Sequence, residues 1–518
     1  MKLSKEKLNF YSLAYIYLPV IIFIVGWCRL WFSIPAIFML GYAFFRTLKL
    51  EQMKGKITFQ PVGLGLVILA ILIIAYYSGW GGVTPQSGDW CKHNAVLRDL
   101  IQKGWPVLYD NHGEHSMLTY YLGQYMVPAL GGKLLYKFLS IFSITSLFNL
   151  SVSTTCFFVS EIIMFIWNCT GLFLVCCHLF FLLQNPKQKF LLVIAFCFFG
   201  NPLILGKIIY SLAGFYTDFS SYHWLDFENY LLQYSTNFVL LRWVFQHCLV
   251  PWIVMGMLLD KCATVQTYVF VGLPVALYSP FAFLGMLPFM FINLIKHVVQ
   301  KDRGDVLKRC FSIPNLLALF SLGIFLFLYY IDYFMAEKPP SLHFTRYLSL
   351  NVQDIGVYIL FCLFTFGIYA VYLIKDFGKN LFYWVAVVSL LFLPLFHMGK
   401  FNDLVMRVSV PALYVLCVFC LDVLVNKRKT HGRLFICSFS VLLLIGYYYP
   451  VREFVDVVME DNIFDLQERD DYGTLEQYAN PEYNRIYQPE ETVSEDLLWN
   501  YYTYDAEECI FLKTIGKK

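Results

Sequence analysis

The stretch Val62–Trp80, VGLGLVILAILIIAYYSGW, decides the fold class because its 19 residues include no charged side chain. An α-helix needs about 20 apolar residues to cross the hydrocarbon core of a bilayer. Comparable runs occur near both ends of the chain, at Tyr11–Trp27 and Leu434–Tyr449. Inside a bilayer each backbone polar group must be satisfied within its own segment, so such runs form helices. The sequence therefore predicts an all-α, polytopic transmembrane protein.

The composition agrees with this fold class. Of 518 residues, 58% are hydrophobic and 14% are charged, whereas soluble domains carry about 25% charged residues. Many of the 15 cysteines lie inside apolar runs, where cysteine behaves as a small hydrophobic residue. There is no basic stripe of the kind that nucleic-acid-binding proteins carry. We therefore expect membrane lipid, and no nucleic acid, among the partners.

Charge is distributed unevenly along the chain, and this sets the expected topology. Residues 451–518 carry 17 Asp and Glu against 6 Lys and Arg, although the whole chain has a net charge of +3. Short loops rich in Lys and Arg normally face the cytoplasm. Placing such loops on one side gives about thirteen spans, with the amino end in the cytoplasm and the acidic tail outside. The predicted spans lie near residues 10–27, 29–46, 62–79, 156–183, 189–210, 238–259, 264–279, 281–297, 312–331, 353–375, 380–397, 408–425 and 433–449.

This topology divides the chain into three parts and brings three polar segments to the extracytoplasmic face. Residues 117–150 do not fit as one span into the alternation of loops between the two sides of the membrane. We expect re-entrant or juxtamembrane helices there, or a helical pair. The parts are an amino-terminal helical hairpin (1–50), a transmembrane core (51–450), and an acidic tail or cap (451–518). The polar segments are the loops 81–116 and 213–237 and the shorter stretch 397–407.

The first polar loop contains a short amphipathic helix. In SGDWCKHNAVLRDLIQKGWPV, Ser87–Val107, the apolar residues recur at helical spacing from Trp90, and Gly104 with the following Trp-Pro ends the pattern. Such a helix is expected at the membrane surface. Asp89 would lie at its first turn, with Lys92 and His93 on the same face and Asn94 beside them. The alternative is that Asp89 only caps the helix and Lys92 is its solvated partner.

The order of polar and aromatic motifs resembles that of the GT-C superfamily of membrane glycosyltransferases. The resemblance extends over about residues 62–430 and implies transfer of a sugar from a polyprenyl-phosphate donor to a glycan, lipid or protein acceptor. The motifs are SGDWCKHNAVLRDL (87–100), YYLGQYMVPALGGKLL (120–135), YSTNFVLLRWVFQHCLVPW (234–252), LYSPFAFLGMLPF (277–289) and FNDLVMRVSVPAL (401–413).

The resemblance implies a role for acidic residues in the first two polar loops. Asp89 matches the acid of the first loop, which in this superfamily is the catalytic base or orients the acceptor. Many members carry a DxD-type motif in the second loop, where this chain has Asp226-Phe227-Glu228, with Asp218 as a further candidate. Because the motif here is DxE, binding of a divalent metal such as Mg or Mn is left open.

Cations are needed where negative charge develops on the departing phosphate. The candidates are Arg242, His247, Lys400 and Arg407, since guanidinium suits phosphate and ionisable groups in apolar segments are costly and tend to be functional. The alternatives are that Arg242 extends to the membrane interface and that His247 is a core histidine.

Two further groups of residues are candidates for shaping the site or binding metal. Asn402 and Asp403 precede a late span, where an internal Asp403–Arg407 ion pair is an alternative because the two are i, i+4. In the stretch DNHGEHS, Asp110–Ser116, the side chains of His112, Glu114 and His115 are weak candidates for metal ligands. The alternative is a polar loop that lines the cavity.

The sequence thus predicts a glycosyltransferase of the bacterial inner membrane whose active site faces the periplasm or exterior. One alternative is a polymerase or ligase of surface polysaccharide, although those proteins usually rely on large periplasmic loops late in the chain. Another is a transporter of lipids or solutes. Transporters often carry inverted repeats and broken helices at matching positions, and the sequence indicates neither.

Overall fold

A computed structural model gives the architecture of the chain. The helices of the amino-terminal half are α1 (Lys5–Trp27), α2 (Leu30–Leu50), α3 (Pro61–Tyr77), α4 (Trp90–Gln102), α5 (Met126–Ile141), α6 (Val152–Leu182), α7 (Lys189–Cys197), α8 (Leu203–Leu212), α9 (Asn237–Trp243) and α10 (Leu249–Leu259). The structure describes residues 1–50, 55–111, 114–144, 146–147, 150–214, 217–219, 224–227, 230–300, 303–336, 343–346, 352–399, 402–459, 473–479, 501–503 and 505–517.

The carboxyl-terminal half is built in the same way, and the few strands are short. Its helices are α11 (Tyr268–Gly272), α12 (Val275–Tyr278), α13 (Pro280–Gln300), α14 (Arg303–Cys310), α15 (Ile313–Ala318), α16 (Ile324–Met335), α17 (Val352–Cys362), α18 (Ile368–Phe377), α19 (Leu381–Phe392), α20 (Asp403–Val408), α21 (Val410–Val425), α22 (Arg433–Gly446), α23 (Tyr448–Met459), α24 (Leu475–Ala479) and α25 (Ile510–Lys513). The strands are β1 (Lys2–Ser4), β2 (Lys56–Thr58), β3 (Leu108–Asn111), β4 (Glu114–Leu118), β5 (Ser146–Leu147), β6 (Leu150–Ser151), β7 (Trp224–Phe227), β8 (Tyr230–Gln233), β9 (Thr345–Arg346), β10 (Phe396–His397) and β11 (Tyr502–Thr503).

The apolar helices confirm a membrane-embedded, mostly helical protein but not the predicted count of about thirteen spans. The helix pair α22 and α23, which is bent by 40°, is a candidate for one broken membrane span. Other apolar helices are shorter, because breaks divide several of the predicted spans. Among the described residues, six helices are long and apolar enough to cross a membrane: Lys5–Trp27, Leu30–Leu50, Val152–Leu182, Pro280–Val299, Ile313–Met335 and Ile355–Phe377.

Breaks interrupt three of the predicted spans, and this corrects the expectation of unbroken helices. The span expected at 189–210 is divided between α7 and α8 just before Pro202, and the one expected at 264–279 is divided between α11 and α12 at Pro274. Proline lacks an amide hydrogen and cannot continue the helical hydrogen-bond ladder. The span expected at 238–259 changes into the 3₁₀ turn Phe245–His247 between α9 and α10.

The two ends of α1 define two ends of the helix bundle. At one, called the Lys5 end, the ammonium of Lys5 lies 2.8 Å from the carboxylate of Asp260, which follows α10. At the other, called the Asp89 end, the Trp27 ring lies 5.2 Å from that of Trp105. The amide of Lys517 in the tail donates to the Trp27 carbonyl there. The first residues of the chain and the described end of its tail therefore lie at opposite ends of α1.

Residues 119–141 enter the bundle from the Asp89 end and return to it. The amide nitrogen of Gln124 donates to the Tyr15 hydroxyl at 2.9 Å and to the side-chain oxygen of Asn168 at 2.5 Å. Tyr15 and Asn168 lie near the middle of α1 and α6. Helix α5 then leads back to the start of α6, where Gln102 of α4 donates to Ser153 at 2.5 Å. This course is the re-entrant alternative among those predicted.

Helix α4 forms over the predicted residues but is buried, not laid on the membrane surface. Eleven of its 13 residues are buried, including Arg98 and Asp99. Helices α5 and α6 pack against one side, and α24 from the tail packs against another. The amide of Leu475 in α24 donates to the Asp99 carboxylate at 3.1 Å. The tail supplies a cover that the local sequence pattern does not reveal.

The described parts of the tail pack against the first polar loop. Strand β11 pairs antiparallel with β4, so β3, β4 and β11 form one small sheet. Helix α25 begins where the amide of Ile510 donates to the carboxylate of Asp332, at the end of α16, at 2.8 Å. The tail thus ties the first polar loop to the bundle.

Candidate functional site

Asp89 lies immediately before α4, and its carboxylate does not cap the helix. Its backbone is already helical (φ −70°, ψ −19°), and within the part of the chain described here its side chain accepts no capping hydrogen bond. The ammonium of Lys92 lies 3.3 Å away and is mostly buried, whereas the Asp89 side chain is 37% exposed. The alternative prediction was that Asp89 only caps α4 and that Lys92 is its partner. The cap is wrong, whereas the contact with Lys92 is present. The carboxylate keeps hydrogen-bonding capacity for another group.

His93 is a buried, neutral and firmly oriented group. Its Nε2 lies 3.1 Å from the Trp243 carbonyl, which can only accept, so Nε2 carries the hydrogen. Its Nδ1 then accepts from the Tyr125 hydroxyl at 2.6 Å. Burial lowers the pKa of His93 to about 4, although Asp89 acts in the opposite direction. His93 therefore fixes the start of α4 and carries no charge at neutral pH.

Arg407, on the short helix α20, points towards the same region. Its guanidinium lies 2.8 Å from the carboxylate of Asp403, which is the predicted i, i+4 ion pair, and donates to the Tyr121 hydroxyl at 2.7 Å. Burial lowers the pKa of Arg407, but the charges of Asp403, Tyr121 and Asp89 outweigh it, so the pKa is raised overall. Arg407 is therefore a permanent cation within electrostatic reach of Asp89.

Three tyrosines pack together beside Arg407, which donates to the hydroxyl of Tyr121. The rings of Tyr120 and Tyr121 are 3.7 Å apart between centroids, and Tyr501 from the tail lies 4.5 Å from Tyr120. The charge of Asp89 acts on the pKa of Tyr501, which is raised chiefly by burial. We call Tyr120, Tyr121 and Tyr501 the tyrosine cluster. It connects the first polar loop, the tail and α20 around one region.

His247 reaches this region from the break between α9 and α10. Its Nδ1 lies 2.7 Å from the Ser279 hydroxyl, and its ring centroid is 4.7 Å from that of Tyr121. Among the described residues, its Nε2 and both side-chain polar atoms of the neighbouring Gln246 have no hydrogen-bond partner. Both residues are almost completely buried. A buried polar atom without a partner is costly, so these atoms are candidates for contact with a bound group.

Arg242 forms a buried ion pair, and its role in binding the donor phosphate stays a prediction. Its Nε lies 3.1 Å from the Glu453 carboxylate on α23, and both side chains are nearly buried. Its guanidinium also donates to the Pro85 carbonyl at 3.0 Å. The Trp243 indole donates to the same carboxylate at 2.8 Å. Arg242 thus joins the tail helix to the first polar loop.

Two predicted asparagines shape the backbone around the site. The Asn94 amide donates to the Gln86 side chain at 2.7 Å and is buried. Asn402 precedes α20 in a left-handed conformation (φ 54°), and its side-chain oxygen accepts from the Met398 amide at 3.4 Å. A Cβ atom on Gly399 (φ +86°) would lie 2.3 Å from the Asp403 carboxylate. The turn before α20 therefore requires glycine at that position.

Several predicted residues fall outside the described part of the chain. Lys400, Glu228 and His112 lie outside the described residues, whereas Asp226 and Glu114 are described only as members of strands β7 and β4. The second polar loop forms the hairpin of β7 and β8, and β8 packs against α20. This places the hairpin next to the helix that carries Arg407.

Of the metal candidates, Glu114 and His115 lie on strand β4 of a β-hairpin, where a loop was predicted. His115 of β4 is half exposed, with one ring nitrogen 4.0 Å from Asp110 and the other 3.7 Å from Glu507 of the tail. In the part of the chain that the structure describes, no group of three or more His, Cys, Asp or Glu side chains is placed to hold a metal ion. We therefore derive no step that uses a metal.

Sequence reasoning missed Tyr121, Gln246 and Tyr501, which contribute directly to this region. Tyr121 stands within one of the motifs, but aromatic residues make up 19% of the chain and are too frequent for the sequence to single one out. Gln246 carries a usable signal, since an uncharged amide in an otherwise apolar run requires a partner. Tyr501 lies 412 positions after Asp89, and nothing in the local pattern connects them.

Comparisons with known proteins add no relative: no family model matches the chain, and neither a curated protein nor a solved structure is significantly similar to it.

Proposed function

We propose that this protein is a glycosyltransferase of the bacterial inner membrane that transfers a sugar from a polyprenyl-phosphate donor to an acceptor on the extracytoplasmic face. The observation that carries the proposal is the uncapped, partly exposed carboxylate of Asp89 within electrostatic reach of the Arg407 guanidinium. An acid and a fixed cation around one region suit a reaction in which an acceptor loses a proton while a phosphate departs. The resemblance of the motifs to the GT-C superfamily supplies the reaction class.

Each charged group has a distinct part in this reaction. The carboxylate of Asp89 accepts a hydrogen bond from the acceptor hydroxyl or amide and takes its proton. Arg407 stabilises the charge that develops on the phosphate, since a guanidinium presents paired donors to phosphate oxygens. The unpartnered Nε2 of His247 offers a further contact beside Tyr121. The tyrosine cluster provides apolar ring surface of the kind on which sugars pack.

The break before α10 supports the same location. Helix α10 begins at Leu249, two residues after His247 and three after the buried Gln246. The first amides of a helix lack intrahelical partners and favour negative charge. This helix start and the two unpartnered side chains are therefore a second source of donors for a phosphate.

The test uses purified protein in nanodiscs with a panel of radiolabelled polyprenyl-phosphate sugars. We expect label to leave the carrier with the wild-type protein, and the Asp89→Asn variant to lower turnover at least 100-fold. Asp110→Asn, which changes an exposed acid of the same loop, is the matched control and should retain full activity. Undiminished turnover by Asp89→Asn refutes the proposed base, and failure of the wild type to consume any donor refutes the proposed class.

A second pair of variants separates charge from structure at Arg407. Asp403→Asn removes the ion pair but keeps the cation, whereas Arg407→Gln removes the cation. We expect Asp403→Asn to retain most activity and Arg407→Gln to lose it. Equal loss in both variants would show that only the ion pair matters. A series with EDTA and added Mg or Mn measures whether transfer depends on a metal.

A further inference from the structure

The interior of the bundle at the Lys5 end contains a cluster of uncharged polar side chains from three helices. His178 of α6 lies 2.9 Å from the Ser12 hydroxyl of α1. On α10, a Cβ atom at Gly256 would lie 2.8 Å from His178 and 3.2 Å from the Tyr414 hydroxyl of α21, so these two side chains flank the same point. Asn9 lies one turn before Ser12 on α1, on the same face. We call Asn9, Ser12, His178 and Tyr414 the Asn9 cluster.

The Asn9 cluster is buried and incompletely hydrogen-bonded. Its side chains are at most 1% exposed. Among the described residues, neither side-chain polar atom of Asn9, nor Nδ1 of His178, nor the Tyr414 hydroxyl has a hydrogen-bond partner. Buried polar groups are normally paired with protein or with ordered water. These four atoms are therefore positions at which ordered water would complete the hydrogen bonding.

A charged pair stands where the cluster meets the Lys5 end. Lys5 lies one turn before Asn9 on α1, and its ammonium binds the carboxylate of Asp260 at 2.8 Å. Both side chains are partly exposed, at 16% and 14%. Asp260 is also one turn beyond Gly256 on α10. The pair has no net charge, and it connects the interior cluster to the surface.

A second set of buried polar groups continues the series towards the Asp89 end. Tyr15 follows Ser12 by three residues on α1, and its hydroxyl accepts from the Gln124 amide, which also donates to Asn168. Among the described residues, Oε1 of Gln124 and the amide nitrogen of Asn168 have no partner. Polar positions on α1 thus recur at residues 5, 9, 12 and 15. With a rise of about 1.5 Å per residue, successive positions are about 4.5–6 Å apart along the helix axis.

The series ends at the Asp89 region. Tyr125 follows Gln124 in the chain, and its hydroxyl donates to His93 at 2.6 Å. His93 lies one turn after Asp89, which is exposed at that end. Polar side chains of α1 and its neighbours therefore recur from Asp260 at the Lys5 end to His93 and Asp89, with Gln124 and Tyr125 connected as consecutive residues of one segment.

We propose that these side chains and their bridging waters form a path along which protons cross the bundle. The lining groups carry no net charge. Hydroxyl, amide and imidazole groups both donate and accept, so a proton entering at one end displaces another at the far end and each hydrogen bond reverses its direction. A neutral imidazole has one donor and one acceptor nitrogen, so it can accept a proton at one while it releases a proton from the other. Polar residues in membrane interiors commonly mark such relays.

The proposal is tested by proton flux into liposomes that contain the purified full-length protein and a pH-sensitive dye. A potassium gradient with valinomycin sets the voltage, and the counter-movement of potassium balances the charge. No sugar donor is present, so the outcome is independent of the proposed transferase activity. We expect dye acidification above that of protein-free liposomes, and a rate at least tenfold lower for His178→Gln, which keeps hydrogen bonding but does not titrate. Tyr15→Phe, which removes one hydroxyl, should have the same effect.

Thr365→Val is the matched control, because its hydroxyl is buried in a spanning helix but bonds only its own helix, to the Phe361 carbonyl at 2.6 Å. This control should conduct like the wild type. Gel filtration and thermal unfolding of each variant verify that it folds. Absence of flux with the wild-type protein overturns the proposal, as does equal flux in the wild type, His178→Gln and Tyr15→Phe. A reversal potential that follows sodium or potassium instead of pH also overturns it.

Discussion

Replacing Glu453 by glutamine should destabilise the fold because the buried guanidinium of Arg242 then loses its counter-charge. The two side chains are 5% and 7% exposed and lie 3.1 Å apart. Glutamine has nearly the same shape and keeps an acceptor for the Trp243 indole, which donates to Glu453 at 2.8 Å. The substitution therefore removes the charge and little else.

The size of the effect follows from the burial of the pair. Breaking a buried ion pair by removing one partner costs about 3–5 kcal/mol. The Pro85 carbonyl still accepts from Arg242 at 3.0 Å, so we expect the lower value, about 3 kcal/mol. An unfolding entropy of about 2.1 cal/mol/K per residue over 518 residues gives about 1.1 kcal/mol/K. The expected fall in Tm is therefore about 3 °C.

The assay is thermal unfolding in nanodiscs, followed by intrinsic tryptophan fluorescence. The double variant Arg242→Met with Glu453→Leu replaces both charges by apolar groups and should recover most of the loss, since such replacements of buried pairs are often neutral or stabilising. Glu508→Gln breaks the exposed ion pair with Lys513 and should cost about 0–1 kcal/mol. A Tm for Glu453→Gln within 1 °C (about 1 kcal/mol) of the wild type would refute the reasoning.

Three further outcomes follow from other contacts. Burial raises the pKa of Asp99 to about 6. The stability that its protonated form contributes is therefore complete below about pH 4, and about 3 kcal/mol of it is lost as the pH rises through 6. The Tm of the wild type relative to that of Asp99→Asn should fall between pH 4 and 7, and a constant difference contradicts this. Gly399→Ala places a Cβ against the Asp403 carboxylate and should lower sugar transfer at least tenfold, whereas full activity would show that the turn can shift. Tyr501→Ala removes a buried ring at a cost of about 3 kcal/mol and should speed protease cleavage of the tail, with unchanged cleavage as the contrary result.

The sequence predicts well which segments form helices, but it predicts poorly how far each segment extends into the bundle. Apolar length identified α1, α6 and α13 directly, since no other element satisfies the backbone in lipid. The breaks at Pro202 and Pro274 carried a visible signal, because proline interrupts the helical ladder. The re-entrant course of 119–141 depended on partners near the middle of α1 and α6, which no local pattern specifies.

The candidate site was predictable in its residue types but not in its pairings. The i, i+4 spacing of Asp403 and Arg407 gave their ion pair in advance, and the i, i+3 spacing of Asp89 and Lys92 gave theirs. Arg242 was recognised as a costly charge in an apolar run, which is correct, but its partner lies 211 positions away in α23. Spacing can predict contacts within a helix, whereas contacts between distant segments need the fold.

The orientation of Asp89 depends on both ends of α4. At its start, the Trp90 indole donates to the Arg242 carbonyl at 2.7 Å and His93 is held by the Trp243 carbonyl. At its far end, the tail amide of Leu475 binds Asp99. A helix turns by about 100° per residue, so a shift of α4 by a single residue would turn the Asp89 carboxylate away from its present position. The acidic tail therefore contributes to the site by fixing the helix that carries Asp89, even where it touches no reacting group.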